Sequence, residues 1–165
     1  MKVSTMLPIM AIVAVLNFTS CSSESLPEDN ANAINLIDAP VAKDIEMDIL
    51  QLINDYRLEN GFTALNNHNI IKSVAFSHTD YMIEVDNVSH DNFFERKTSL
   101  QQNANAISVS ENVAYGFSSA QSVVNAWINS PGHKANLEGD YTDFDISAEQ
   151  NEEGDWYFTN IFIKR

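Results

Sequence analysis

The run Ser130-Pro131-Gly132-His133 combines a helix start with a side chain that can do chemistry. Serine is a strong N-cap residue and proline suits the first helical position, so the run predicts that a helix begins at Pro131. His133 is then the third helical residue, close to the positive end of the helix dipole, which disfavours the imidazolium cation. A neutral imidazole in this position can bind a metal ion or act as a base.

Two further polar residues upstream, His90 and Glu111, are candidates to meet His133. His90 follows Ser89 in an aspartate-rich turn. Glu111 lies in a segment that mixes β-branched and polar residues, which is typical of a strand or an extended loop. The elements that carry these three residues therefore decide whether they form one site.

Hydrophobic periodicity predicts five helices and three strands. The expected helices run from Ile45 to Gly61, Asn69 to Val85, Glu95 to Gln102, Ser118 or Ser119 to Ile128, and Pro131 to Glu138. The expected extended segments are Ile107 to Tyr115, Tyr141 to Gln150 and Trp156 to Ile163. Helices first and a hairpin last indicate a layered α+β domain. Apolar residues on both faces of the last strand predict that it is central in the sheet.

Several large side chains are expected to fill the core. We expect Phe93 and Phe94 to anchor the segment after His90, and Trp127 to lie on the buried side of its helix. His78 falls on the apolar face of the second helix and is expected to be a packing residue. None of these four residues is taken as a ligand.

The first 44 residues differ from the rest of the chain. Residues 1–20 contain one charged side chain, Lys2, followed by a short apolar run, which is typical of a secretory signal peptide. Cys21, the only cysteine, directly follows in a setting that resembles a bacterial lipoprotein cleavage box, so we expect it to be lipidated. An ordinary signal peptide followed by a free thiol is the alternative. Residues 21–44 are polar and acidic and predict a flexible tether between membrane and domain.

The net charge of the chain is −14 at pH 7. Such acidity argues against binding to nucleic acid or to anionic lipid headgroups, because both would repel the protein. It suits a solvated surface.

The segment from Ile45 to Arg165 resembles the CAP superfamily, which includes cysteine-rich secretory proteins, antigen 5 and pathogenesis-related 1, in its cysteine-free bacterial branch. The stretches that carry the resemblance are Leu52-Ile53-Asn54-Asp55-Tyr56-Arg57, Ser89-His90-Asp91 with Phe94 and Arg96, Ser110-Glu111-Asn112-Val113-Ala114-Tyr115-Gly116, and Trp127 to Leu137. The resemblance implies a three-layer α-β-α sandwich for residues 45–165, with a central cleft.

The resemblance also implies a site. Many members place two histidines and two acidic residues in the cleft, and the histidines can bind zinc or another divalent cation. His90, His133 and Glu111 match three of the four positions, whereas Ile128-Asn129-Ser130 stands where the second acid is expected. Asn129 or Ser130 could hydrogen-bond in its place. Two histidines alone make a weak metal site, since stable zinc sites usually have three or four protein ligands.

Alternatives without a metal stay open for each residue. Glu111 could be a buried carboxylate that accepts backbone N–H bonds, and His133 could hydrogen-bond to Glu111. His90 could be a simple surface residue.

Two functions follow from the resemblance. The first is a non-enzymatic module that binds a lipid, a cell-envelope component or a protein partner in this cleft. The second is a metal-dependent hydrolase, peptidase-like, that uses His90 and His133 with Glu111 as the base. The missing second acid favours the first. We expect the protein to be secreted across the inner membrane and lipid-anchored at the outer membrane or cell surface.

Overall fold

The computed structural model describes residues 38–165. The predicted signal peptide, Cys21 and the tether up to residue 37 lie outside the described residues. Residues 38–43 have no regular structure and lead into the first helix. No helix within residues 38–165 is long and apolar enough to cross a membrane.

Five helices and four strands make up this part of the chain. The helices are α1 (Asp44–Glu59), α2 (Asn69–Glu84), α3 (Phe93–Ala104), α4 (Ala120–Asn129) and α5 (Pro131–Leu137). The strands are β1 (Asn66–Asn67), β2 (Ser108–Tyr115), β3 (Asp143–Gln150) and β4 (Trp156–Lys164). All five predicted helices and three predicted strands are present. The two-residue strand β1 was not predicted.

The strands form one sheet in the order β1-β3-β4-β2. β4 pairs antiparallel with both β2 and β3, so the prediction that the last strand is central is confirmed. β1 pairs parallel with the first two residues of β3 only. The sheet therefore has β2 at one edge, and at the other edge β3 continues beyond β1.

Helices cover both faces of the sheet. Phe158 and Phe162 of β4 pack in a core with α1, α4 and α5, while Ile161 and Ile163 point to the other face and pack with α2 and α3. This alternation follows from the two-residue period of a strand. The expected α+β fold with three α-β-α layers is confirmed.

Of the predicted core residues, Trp127 is buried and Phe94 is exposed. Trp127 is 1% exposed, and its Nε1–H donates to the Val113 carbonyl at 3.3 Å. Phe94 is 78% exposed, so its prediction as a core anchor was wrong. The buried positions of α3 include Arg96 and Leu100, and the helical period places Phe94 on the opposite, solvent side.

Candidate functional site

Neighbouring residues of β2 face opposite layers of the domain. Glu111 pairs with Ile161 of β4 and shares its face, toward α2 and α3. Asn112 pairs with Asn160 and faces α5, where it donates to the His133 carbonyl at 3.1 Å. Because side chains alternate between the two faces of a strand, one short segment of β2 contacts helices of both layers.

Glu111 is 5% exposed and is held by two side chains. Arg96 of α3 binds it through two parallel hydrogen bonds, Nε to Oε2 at 2.7 Å and one terminal nitrogen to Oε1 at 2.8 Å. His90 donates from Nδ1 to Oε1 at 2.8 Å, since an ionised carboxylate can only accept. The prediction that His90 and Glu111 meet is therefore realised in the geometry. The partners of Glu111 are side chains and not backbone N–H groups.

The turn that carries His90 is fixed on both sides. His78 of α2, 2% exposed, donates from Nε2 to the Ser89 carbonyl at 2.8 Å. Arg96 donates to the Asp91 carbonyl at 2.5 Å. His78 also packs behind the site, with Nε2 at 3.9 Å from Glu111 Oε1. Its predicted packing role is confirmed, and it orients the residue that precedes His90.

His133 lies on the α5 side of β2. Asn136 donates to Asn112 Oδ1 at 2.8 Å and to the Glu111 carbonyl at 3.1 Å, so two asparagines hold α5 against the strand. Ser130 is the N-cap and Pro131 the first residue of α5, as predicted, although the Ser130 side chain makes no capping hydrogen bond. Within residues 38–165 the His133 ring has no hydrogen bond to Glu111, whose imidazole partner is His90.

Burial and neighbouring charges shift the pKa values of the site. Burial raises the pKa of Glu111, but the hydrogen bonds from His90 and Arg96 and the Arg96 charge outweigh it, and the pKa lies below its ordinary value. Burial lowers the pKa of His133, and the nearby His90 lowers it further. Burial is also the main cause of the lowered pKa of His78. The site thus combines a carboxylate anion with neutral His78 and His133.

Asn129 and Ser130 stand apart from these groups. Asn129 is exposed, and its side chain donates to the Asn125 carbonyl of its own helix at 2.8 Å. Among the hydrogen bonds of residues 38–165, none joins either residue to His90, Glu111 or His133. No amide or hydroxyl of this pair occupies the place of the missing acid in that network.

The residues present fit a metal ion poorly. The described part of the chain contains no group of three or more His, Cys, Asp or Glu side chains placed to hold one. Both oxygens of Glu111 already accept hydrogen bonds from Arg96. Of the three predicted site residues, His90 and His133 are therefore the two with a side-chain atom, a ring nitrogen, available to a metal ion. Two imidazoles fall short of the three or four protein ligands of a stable zinc site.

Sequence reasoning missed the part that Arg96 plays. Arg96 is 3% exposed, and its guanidinium lies 5.9 Å from the centre of the Phe93 ring. Its position on a helix gave no sign of burial, because arginine is usually exposed. The available signal was a glutamate in the middle of a predicted strand of the sheet, since a carboxylate that is buried there needs a cation.

A pocket of about 320 Å³ opens beside the site. It is lined by His90, Phe93, Val109, Ser110 and Glu111. Phe93 and Val109 give it an apolar wall next to the exposed His90 ring, whose side chain is 53% accessible. A ligand can therefore reach His90 from solvent while Glu111 stays buried behind it.

Comparison with known proteins identifies the family of the chain. Residues 50–162 match the cysteine-rich secretory protein family, CAP. An uncharacterized membrane protein, YlbC, of Bacillus subtilis is 32% identical over 130 residues, which cover 73% of this chain and 34% of that protein. This chain thus corresponds to about a third of its relative, and the relative's further regions have no counterpart in the match.

Solved structures share the fold. An outer surface protein from Borrelia burgdorferi superposes with a TM-score of 0.67 at 22% identity, over 78% of this chain and 99% of its own. An extracellular protein with an SCP domain from Bacillus anthracis gives 0.65 at 22% identity, over 77% of this chain and 45% of its own. A cysteine-rich secretory protein from Staphylococcus aureus gives 0.61 at 18% identity, over 76% and 41%. With its sequence match and its fold, the chain belongs to the CAP, cysteine-rich secretory protein, family.

Proposed function

We propose that this CAP domain is a binding module of the cell envelope, held at a membrane by a lipid on Cys21. The observation that carries the proposal is the state of Glu111. Arg96 and His90 occupy both of its oxygens, and its lowered pKa keeps it ionised, so it is a poor proton acceptor for a bound water. A general base must reach the proton that it removes, and this carboxylate is committed to positioning His90.

The ligand site consists of the exposed His90 ring, the pocket beside it and His133 across β2. These groups offer hydrogen-bond acceptors and an apolar wall on a fixed framework. Pre-formed pockets with few polar groups are typical of ligand sites. The relatives of this chain include a membrane protein, an outer surface protein and an extracellular protein, which supports a location at the envelope.

The competing hydrolase is tested by incubating the protein with denatured casein, with and without zinc. We expect no cleavage. Cleavage that is lost in His133→Ala but kept in His68→Asn would overturn the binding-module proposal. His68 is a suitable control because its ring accepts from the Ile70 N–H at the N-cap of α2, and asparagine is also a good N-cap.

The metal question has its own measurement, a calorimetric titration with zinc of the same three proteins. Absence of binding at micromolar zinc agrees with the incomplete ligand set. Tight binding that depends on His133 would place a metal ion in the cleft and add a cofactor to the site, while casein cleavage would still decide the activity.

The anchor is tested separately. Mass spectrometry of the mature protein should find an acylated Cys21 as its first residue. An N-terminus at Ser22 or Ser23 would refute the lipid anchor and leave a secreted protein.

A further inference from the structure

The register of the sheet shows which main-chain groups of β2 face outward, away from β4. Gly116, just after the strand, donates to the Trp156 carbonyl at 2.9 Å, and the pair continues the register in which Tyr115 opposes Tyr157. Hydrogen-bonded pairs alternate along an antiparallel ladder, so even-numbered residues of β2 bond β4. Val109, Glu111 and Val113 therefore turn their N–H and C=O groups away from the sheet.

The opposite edge of the sheet is closed by side chains. Beyond β1, the Ile146 carbonyl of β3 accepts from Lys72 Nζ at 2.8 Å, and the Ala148 N–H donates to Glu46 Oε1 at 2.8 Å. Glu46 and Lys72 form a buried ion pair with each other. This pair satisfies the edge groups that a further strand would otherwise bind, which is one way in which proteins protect an edge.

In the second half of the β2 edge, side chains close two outward carbonyls, while the outward Val113 N–H has no hydrogen-bond partner in the described part of the chain. The Glu111 carbonyl accepts from Asn136, and the Val113 carbonyl accepts from Trp127. Within residues 38–165, no group hydrogen-bonds to the N–H or C=O of Val109 or to the N–H of Glu111. Val109–Glu111 is thus the stretch of this edge where three main-chain groups lie open together, before the first capped carbonyl.

The open stretch coincides with the pocket beside His90. Val109, Ser110 and Glu111 line that pocket of about 320 Å³. Ser110 Oγ is buried without a hydrogen-bond partner in the described structure. Two exposed apolar side chains lie close to lining residues along the chain: Phe94 directly after Phe93, at 78% exposure, and Ile107 two residues before Val109, at 73%. Main-chain donors and acceptors next to an apolar pocket are the features by which strand-adding sites recognise peptides.

We propose that the Val109–Glu111 edge binds an extended polypeptide segment as an added strand, with one apolar side chain of that segment in the pocket beside His90. The proposal rests on the proposed binding function and names the class of its ligand. A second copy of this chain fits less well. The open edge is about three residues long, and two chains of charge −14 repel each other.

The test uses ¹⁵N-labelled protein and a set of acetylated, amidated pentapeptides that differ only in the central residue. We expect the amide signals of Val109 and Glu111 to shift most, and leucine or phenylalanine at the centre to bind more tightly than alanine or glutamate. The same peptides with N-methylated backbones should bind at least about tenfold more weakly, because each lost hydrogen bond is worth roughly 1 kcal/mol. Equal binding of the methylated peptides, or shifts confined to other surfaces, would overturn the proposal.

A matched pair of variants removes one edge group. Val109→Pro deletes the outward N–H without breaking a bond to β4, and proline is tolerated at such edge positions. Val109→Ala keeps the N–H and truncates the side chain, so it controls for the loss of the valine methyl groups. We expect Val109→Pro to lose about fivefold in affinity beyond Val109→Ala, because one hydrogen bond is worth roughly 1 kcal/mol, with the N–H groups of Ser110 and Asn112 still protected from hydrogen exchange in the free protein.

Two other outcomes contradict the inference. Peptide affinity that is the same in both variants would show that the edge is not used. Concentration-dependent dimerisation in sedimentation that Val109→Pro abolishes would assign the edge to a second copy. Neither result depends on the casein assay, so the binding-module proposal can fail or survive independently.

Discussion

Replacing Arg96 by methionine tests whether Glu111 is a buried anion that depends on one cation. The variant loses two charged hydrogen bonds of 2.7 and 2.8 Å and leaves a carboxylate that is 5% exposed with His90 as its remaining partner. Breaking a buried ion pair from one side costs roughly 3–5 kcal/mol of unfolding free energy. We expect a loss of this size at pH 7.

The stability difference between Arg96→Met and wild type should depend on pH. In the wild type the pKa of Glu111 lies below its ordinary value, so its contribution to stability is present above about pH 4.5 and is lost as the pH falls through the folded-state pKa. Without Arg96, the hydrogen bond from His90 is the main effect left to oppose burial, so we expect the pKa of Glu111 to rise. The stability of Arg96→Met relative to wild type should therefore improve as the pH falls from 7 toward 5, because protonation removes the buried charge.

The assay is urea unfolding followed by tryptophan fluorescence at pH 5 and pH 7. Lys164→Met is the matched control, since its ion pair with Asp140 is surface-exposed, at 35% and 87%, and such pairs contribute about 0.2–1 kcal/mol. Arg96→Lys keeps a cation and should lose less than Arg96→Met. Glu111→Gln completes a double-mutant cycle with an expected coupling of about 2–3 kcal/mol. A loss below about 1 kcal/mol, or additive single variants, would refute the reasoning.

Three further predictions concern the core and its charges. Burial raises the pKa of Asp145 from 3.8 to about 6, so the folded protein should lose up to about 3 kcal/mol of stability as the pH rises from about 4 to 6, and Asp145→Asn should remove that slope from urea unfolding curves. Leu100→Ala should cost about 2–5 kcal/mol, and Phe94→Ala should stay within about 0.5 kcal/mol in the same unfolding assay; equal losses would contradict the exposed placement of Phe94. Trp127→Phe should lower the melting temperature, because it removes the bond to the Val113 carbonyl, worth about 1 kcal/mol, and part of a ring that is 1% exposed; an unchanged melting temperature would contradict both contributions.

The helices and long strands were predictable because their signals are local. In α1, Ile49 and Ile53 are both fully buried and lie four residues apart on one face, as the periodicity required. β4 is apolar on both faces, and this alone indicated its central place. β1 escaped prediction because Asn66 and Asn67 have no strand propensity and are extended only through pairing with β3.

The site was predictable in part. The motifs identified His90, Glu111 and His133, but not which of the two histidines bonds Glu111. That choice depends on Arg96 and His78, which reach the carboxylate and the His90 turn from two different helices. Such contacts arise from tertiary packing: the helical period predicted that His78 is buried, but the sequence predicted neither its partner nor the burial of Arg96.

Glu111 and Asn112 are neighbours on β2, and together they hold the strand in place beside its open edge. One residue ties the strand to α3 and the His90 turn, and the next ties it to α5 and His133. A shift of β2 would have to break both sets of hydrogen bonds at once. Binding to a fixed site avoids the entropic cost of ordering it. A strand locked from both faces, with free main-chain groups at Val109, is therefore pre-organised to accept a partner and poorly suited to a mechanism in which Glu111 must release its partners to move a proton.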